Sequence, residues 1–375
     1  MTHPRIEVGT YVAAKAPLAG VEAQVAAARA ERSASVFFWD HLQDFFPSSI
    51  WNEEFAWIAA NSESPHEWFE FQALFGYLAA KFPDMQLGIG VTEPMRRHPV
   101  ILAQAALSLA HMSQRPPVLG IGAGERLGTE PYGLPFSKPV SRLEEALQII
   151  RMCFDTMGPI NFTGEHFVLD RAVLDLPAPA GRTPQIWVAG HGPRMLRLTG
   201  QYGDGWYPAV VGPPEDYAVR LGVIRAAACA AGRDPDAIVP SWHPIVVIAA
   251  TDAEAYAMLQ APAVRYLALL LPSEIWAFFG VSHPMGERFR GYMDLLPETY
   301  NREVVEAAIA AVPQAMMEGV VWGSPERVVA SVRAYGEAGL RHMVPLVASA
   351  LVSPEAAAYS MEAMAVVAAD LRSGQ

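Results

Sequence analysis

Eight times along this chain a short apolar, β-rich run is followed by a longer stretch rich in Ala, Leu, Arg and Glu. That repetition constrains the fold more than any single motif, because alternating strand and helix signals are the pattern of βα units around a parallel sheet. The strand-like runs fall at residues 6–10, 36–39, 86–91, 117–121, 185–189, 205–208, 241–249 and 342–347. The helical stretches fall at 19–33, 65–81, 99–111, 140–155, 193–201, 214–231, 324–338 and 354–371. Several of these helices open on Pro, or on a pair such as Ser324-Pro325. Proline suits a first turn because the N–H it lacks would have no helical partner there. Eight pairs predict an α/β fold of the closed (β/α)₈ TIM-barrel type, since a doubly wound sheet usually stops at about five or six strands.

Three stretches are too long for plain connections: about 41–64, 156–183 and 261–322. They read as insertions into one domain spanning 1–375, because no repeat, low-complexity segment or Gly/Pro-rich linker divides the chain. The first and third follow the second and seventh strand signals. They therefore belong on the face where barrel enzymes keep their chemistry.

A net charge of −12 excludes a general nucleic-acid binder, which needs a broad phosphate-neutralising face, and points to small-molecule partners. The most apolar runs, 245–250 and 266–271, are far shorter than the roughly 20 residues of a membrane span. Met1-Thr2-His3-Pro4-Arg5 shows no secretion signal, and a cytoplasmic protein is expected. Cys153 and Cys229 lie in helical stretches without ligand spacing and read as buried small hydrophobes.

The chemistry-bearing residues cluster at strand ends. Gly120, Gly122 and Gly124 alternate before Glu125, which lets a ligand approach the backbone closely. G-x-G-x-G-E is not the dinucleotide fingerprint, and no helix follows at once. The plain alternative is a tight strand end with a solvated Glu125. Asp40-His41 follows the apolar run Val36-Phe37-Phe38-Trp39, placing an acid and a histidine where a strand emerges. His41 is the candidate for proton transfer and Asp40 for cofactor contact, against the alternative of a histidine that only packs its loop. Gly190-His191-Gly192-Pro193-Arg194 is a strand, turn and helix start whose free N–H groups suit a phosphate, although an ordinary turn fits nearly as well. Thr92-Glu93-Pro94-Met95-Arg96-Arg97-His98-Pro99, with a hydroxyl and two arginines after the third strand, offers the same choice between an anion site and an ordinary loop, and a basic pair on a loop is usually solvated.

Aromatic residues crowd the first insertion and the helix after it: Phe45, Phe46, Trp51, Phe55, Trp57, Trp68, Phe69, Phe71, Phe75 and Tyr77. Some of the last five belong to a helix core. The others, with Trp276, Phe278 and Phe279, either wall an apolar chamber above the barrel or pack their loops. His283 reads as part of a turn. Metal-ligand spacing, a serine elbow and a Walker loop are absent from the sequence, so no metal is expected.

Taken in order, Trp39-Asp40-His41, Gly88 to Thr92, His98-Pro99-Val100, Gly120 to Glu125, Glu130-Pro131-Tyr132-Gly133, Arg142 to Ala146 and Gly203-Asp204-Gly205-Trp206 resemble the bacterial luciferase-like superfamily. The pattern is similar to its coenzyme F420-dependent branch, including the mycobacterial phthiodiolone and phenolphthiodiolone dimycocerosate ketoreductases. The resemblance implies a barrel, often dimeric, that holds a deazaflavin over the C-terminal strand ends beside a bulged non-prolyl cis bond at Ile89, Gly90 or Val91, with Thr92 near the ring. It also implies Asp40 and His41 as the acid–histidine pair, Glu125 as the reactive glutamate and Gly190 to Arg194 as the phosphate turn. Thr129 stands where the family has an asparagine.

The expected reaction is hydride transfer from deazaflavin C5 to a ketone carbon of a hydrophobic substrate, with His41 as first proton donor and Glu125 as partner or alternative. The rival readings are an FMN-dependent luciferase-like monooxygenase and a non-catalytic deazaflavin- or lipid-binding protein.

Overall fold

The computed structural model of the protein describes residues 3–374. Parallel pairing runs in the order Glu7–Val8, His342–Met343, Val239–Trp242, Gly205–Trp206, Gln185–Val188, Val118–Ile121, Leu87–Thr92, Val36–Phe38 and Thr10–Tyr11. The two ends of that order are chain neighbours separated by Gly9 alone. Nine segments therefore make eight staves, and the sheet closes into a (β/α)₈ TIM barrel. Gly9 sits at the seam because a Cβ there would come within 2.4 Å of Ser35 Oγ, and Ser35 itself is hydrogen-bonded to His342 Nε2 at 3.0 Å.

Large aromatic side chains fill the barrel, and glycines make room for them. Phe37, Trp187 and Tyr207 are buried in its interior with Val118 and Val344. A Cβ on Gly88 or Gly90 would strike Phe37 or Tyr207, and one on Gly205 would strike Trp187. Outside, helices bury one face each. In Phe71–Lys81 the buried residues Phe71, Leu74, Phe75 and Leu78 recur at helical spacing. The proline starts hold at Pro99, Pro139, Pro193, Pro214, Pro325 and Pro354. Ser324 and Ser353 also cap their helices by accepting from Arg327 and Ala356 N–H.

Several boundaries depart from the sequence reading for local reasons. The run at 241–249 is two strands, Val239–Trp242 and Ile245–Ile248, and 342–347 is likewise His342–Met343 and Leu346–Val347. Pro244 and Pro345 fall in the gaps, where they cannot donate to a ladder. The upper halves form a second parallel sheet with Val321–Gly323, a strand hidden in the third insertion. The helix expected from residue 65 begins at Phe71, because the Glu70 carboxylate caps Ala73 N–H and Trp68 forms an antiparallel bridge to Lys15 instead. The second insertion contains a hairpin, Pro159–Thr163 with Val168–Val173. The Glu145 carboxylate fastens it by accepting from the N–H groups of Glu165, His166 and Phe167. Cys153 is buried as expected, but Cys229 is exposed on the solvent side of its helix. No helix among the described residues is long and apolar enough to cross a membrane.

Candidate active site

The third stave shapes the mouth of the barrel. Its Gly90–Val91 peptide is cis, where the resemblance places such a bond, and its register against the fourth stave slips between Ile89 and Thr92. The bulge brings the Ile89 carbonyl to 1.9 Å from the place a Cβ on Gly120 would occupy. Gly120 is thus required by its neighbour's backbone. Gly122 and Gly124 continue the strand end and line a cleft of about 280 Å³.

Asp40, His41, Val91, Thr92, Glu125, His191 and Gly192 line the same cleft. A second cavity of about 150 Å³ adjoins it, walled largely by apolar side chains such as Phe45, Val210, Ile245, Leu267 and Leu270. His41, Val91, Glu125, Ala189, His191 and Tyr292 line both, so they mark the junction between cleft and chamber. Sequence reading placed His41 and Glu125 at one centre, and the fold brings them there from the second and fourth staves.

Asp40 anchors the polar side. Its Oδ2 accepts from Thr92 Oγ1 and Arg97 Nη1, both at 2.6 Å, and lies 2.8 Å from Arg96 Nη2. Arg96 also reaches Glu93. The two arginines, expected to be solvated, are instead largely buried on carboxylates. The reason is their position one turn beyond the bulged stave, which folds them back onto Asp40.

Glu125 has no side-chain partner in this network. Burial, with Glu93 and Asp40 adding repulsion against the pull of Arg96, pushes its carboxyl up to about 8. At neutral pH it therefore carries a proton. Burial pushes the His41 imidazole down to about 4, with Arg96 adding to the fall against Asp44 and the Gln43 carbonyl, so it is neutral. His41 Nδ1 meets the Gln43 carbonyl at 3.1 Å, which makes Nδ1 the donor and leaves Nε2 an acceptor. Trp39 stacks on the ring at 5.3 Å and Phe45 meets it edge-on at 4.8 Å.

The remaining expected residues divide. Gly192 starts the ten-residue helix Pro193–Tyr202 with no side-chain cap, leaving N–H groups open at the cleft. Arg194 does not reach the cleft; its guanidinium bonds Ser141 and Glu144. Gly190, Pro193 and Ile89 likewise do not line the cleft, and Ile89 is buried in the core. Thr129 is fully buried, and its hydroxyl donates to the Glu125 and Arg126 carbonyls, holding the loop rather than facing the cleft. Gly90 and Val91 face the chamber.

Most of the singled-out aromatic residues pack loops. Phe46, Phe55 and Trp276 are buried together beneath the third insertion, and Phe278 is exposed. Only Phe45 of that set lines the chamber. His283 accepts from Met285 N–H in a turn. The sequence reading missed Tyr207, His243 and Tyr292 on the chamber wall. His243 and Tyr207 directly follow the staves Val239–Trp242 and Gly205–Trp206, a signal hidden because the expected strands ran past them, whereas Tyr292 lies in the third insertion with nothing local to mark it. No group of three or more His, Cys, Asp or Glu residues able to hold a metal occurs among the described residues.

Comparison with known proteins agrees with this architecture. The luciferase-like monooxygenase family pattern matches residues 54–342. The chain is 40% identical over 342 residues to the phthiodiolone/phenolphthiodiolone dimycocerosates ketoreductase of Mycobacterium tuberculosis, covering 90% of each protein. Its fold is similar to that of an F420-dependent secondary alcohol dehydrogenase in complex with an F420-acetone adduct (TM-score 0.74, 19% identity, 97% and 98% of the two chains). It is also similar to the oxygenating constituent of 3,6-diketocamphane monooxygenase from Pseudomonas putida in complex with FMN (TM-score 0.64, 16% identity, 98% of each chain). The chain belongs to the luciferase-like family, and it is an oxidoreductase.

Proposed function

We propose that the protein is a coenzyme F420-dependent oxidoreductase that moves a hydride between the deazaflavin C5 and a carbonyl or secondary-alcohol carbon, reducing a ketone on a hydrophobic substrate. The observation that carries this reading is Glu125. It stands at the junction of a glycine-lined cleft and an apolar chamber, and burial keeps it protonated at neutral pH. The 40% identical relative is named a ketoreductase, which supports the same reaction class.

The residues present fit the cofactor. Gly122 and Gly124 leave backbone bare for a planar ring against Val91 and Thr92, and the uncapped helix start at Gly192, beside His191, suits a phosphate. When bound, F420 supplies the hydride. Glu125 donates its proton to the oxygen that gains negative charge on reduction. His41, neutral and with Nδ1–H engaged, accepts at Nε2 from the hydroxyl so formed. This exchanges the order first expected for the pair. The chamber takes the apolar chains flanking the carbonyl and excludes water, which strengthens polar contacts at the reacting oxygen. The same reading extends to a single-domain protein acting as a homodimer in the cytoplasm, and sedimentation tests the dimer.

Titrating the protein with oxidised F420 and with FMN tests the cofactor. Binding of F420 but not FMN supports the proposal, and tight FMN binding alone overturns it in favour of monooxygenase chemistry. Oxidation of reduced F420 by a long-chain ketone, abolished in His41→Ala and Glu125→Ala, excludes a non-catalytic binding protein.

A further inference from the structure

The third insertion sends one polar side chain into the junction. Tyr292, in the short turn Gly291–Met293, lines both the cleft and the chamber. Its hydroxyl lies 3.2 Å from His191 Nδ1, so a residue of the insertion meets a residue of the turn after the fifth stave.

The direction of that hydrogen bond follows from the other side of the imidazole. His191 Nε2 accepts from two backbone donors, Ala209 N–H at 3.3 Å and Val210 N–H at 3.2 Å. A nitrogen accepting from backbone N–H carries no proton, so the neutral ring bears its hydrogen on Nδ1. Burial keeps the ring neutral, pushed down to about 4. Nδ1–H therefore donates and the Tyr292 oxygen accepts. The phenolic hydrogen is left over, with no protein acceptor among the described residues. Burial and the nearby Glu125 raise the phenol above its usual range, so it keeps that hydrogen at any working pH.

We propose that Tyr292 is a second catalytic hydrogen-bond donor, aimed at the reacting oxygen alongside Glu125. This rests on the ketone-reduction reading above. As the hydride adds to the carbonyl carbon, the C=O π pair moves onto oxygen, and Glu125 delivers the proton that makes the hydroxyl. Tyr292 keeps its own proton throughout and stabilises the growing negative charge by donating a hydrogen bond, the role of an oxyanion-hole donor. The Nδ1–H of His191, received on the same phenolic oxygen, polarises the phenol and makes it a stronger donor.

The test uses a binding signature as well as turnover. 2-Tridecanone labelled with carbon-13 at its carbonyl is bound to the protein without cofactor, and its carbonyl infrared band is recorded for the wild type, Tyr292→Phe and Glu125→Gln. The wild-type band is expected below its position in hydrocarbon solvent, with part of that shift lost in Tyr292→Phe. With reduced F420, kcat of Tyr292→Phe is expected to fall about 10- to 100-fold with KM nearly unchanged, somewhat less than for a full oxyanion-hole donor. Circular dichroism establishes that each variant is folded. If Tyr292→Phe is not folded, Tyr292→Leu, smaller and equally without a donor, is read in the same way. A carbonyl band unmoved by the substitution, a change in KM alone, or failure of the wild type to bind the ketone overturns the inference. If the band shifts as expected but reduced F420 is not consumed, the cofactor reading fails and the role of Tyr292 as a donor to the oxygen stands.

Discussion

Asp40 and Arg97 face each other across 2.6 Å, with the carboxylate 3% and the guanidinium 17% exposed. Arg96 shares the same oxygen. Replacing Asp40 leaves two largely buried cations without their common partner, and breaking a buried pair in this way costs about 3–5 kcal/mol. Asp40→Asn is therefore expected to lower the urea midpoint markedly. It also removes a repulsion that raises Glu125, so the pH at which ketone reduction declines moves to lower values. Rate profiles of both proteins check the shift, and an unchanged profile refutes the coupling.

Glu125 supplies a second expectation. Ketone reduction should be flat below about pH 8 and fall above it, as the carboxyl loses its proton. Glu125→Gln should lower kcat by about 10²- to 10⁴-fold, the usual worth of a general acid, and remove that decline. Stability responds in a lower pH range. Because the folded-state value lies above the ordinary 4.5, the folded protein holds a proton that the unfolded chain has released, so this contribution is lost as pH rises from about 4.5 to about 8. The melting temperature of the Gln variant relative to wild type should climb across that window.

The phosphate turn can be tested by two substitutions with opposite outcomes. Arg194→Ala should change cofactor affinity little, since Arg194 is engaged by Ser141 and Glu144. Gly192→Asp places a carboxylate at an uncapped helix start with open space around it. The new side chain caps the helix and should maintain or raise the melting temperature, while repelling an anionic cofactor and weakening its binding about tenfold or more. Strong dependence on Arg194 would show that its guanidinium leaves Glu144 to hold the anion at this turn.

His41, His191, His243 and His342 are all pushed down by burial to about 4 from an ordinary 6.5. Their neutral burial contributes stability that is present above about pH 6.5 and lost as pH falls towards 4, because the unfolded chain takes up protons first. Urea midpoints should drop steeply between those values, with uptake of up to about four protons on unfolding. A flat midpoint from pH 7 to 5 would show that these rings are not held neutral.

The barrel was legible because its signal is repeated: each stave is a β-rich run and most helices announce themselves with a proline. Asp40, His41 and Glu125 were legible for a related reason, since ionisable residues directly after apolar strands emerge at one rim. Tyr292 was not. It sits in a segment with no periodicity, and its place depends on how that segment folds over the rim. Arg96 was misjudged because a basic pair on a loop looks the same in sequence whether it faces water or a buried carboxylate. The split of the seventh and eighth staves was foreshadowed by Pro244 and Pro345, which the apolar pattern around them outweighed.

Gly9 separates the segment that pairs with Val36–Phe38 from the one that pairs with His342–Met343. The ring thus joins residues almost the whole chain apart. During synthesis, Asp40, His41, Glu125 and Tyr292 all leave the ribosome before the stave that shuts the ring. The rim that carries the proposed site is therefore complete only once the eighth stave, His342–Met343, lies beside the first.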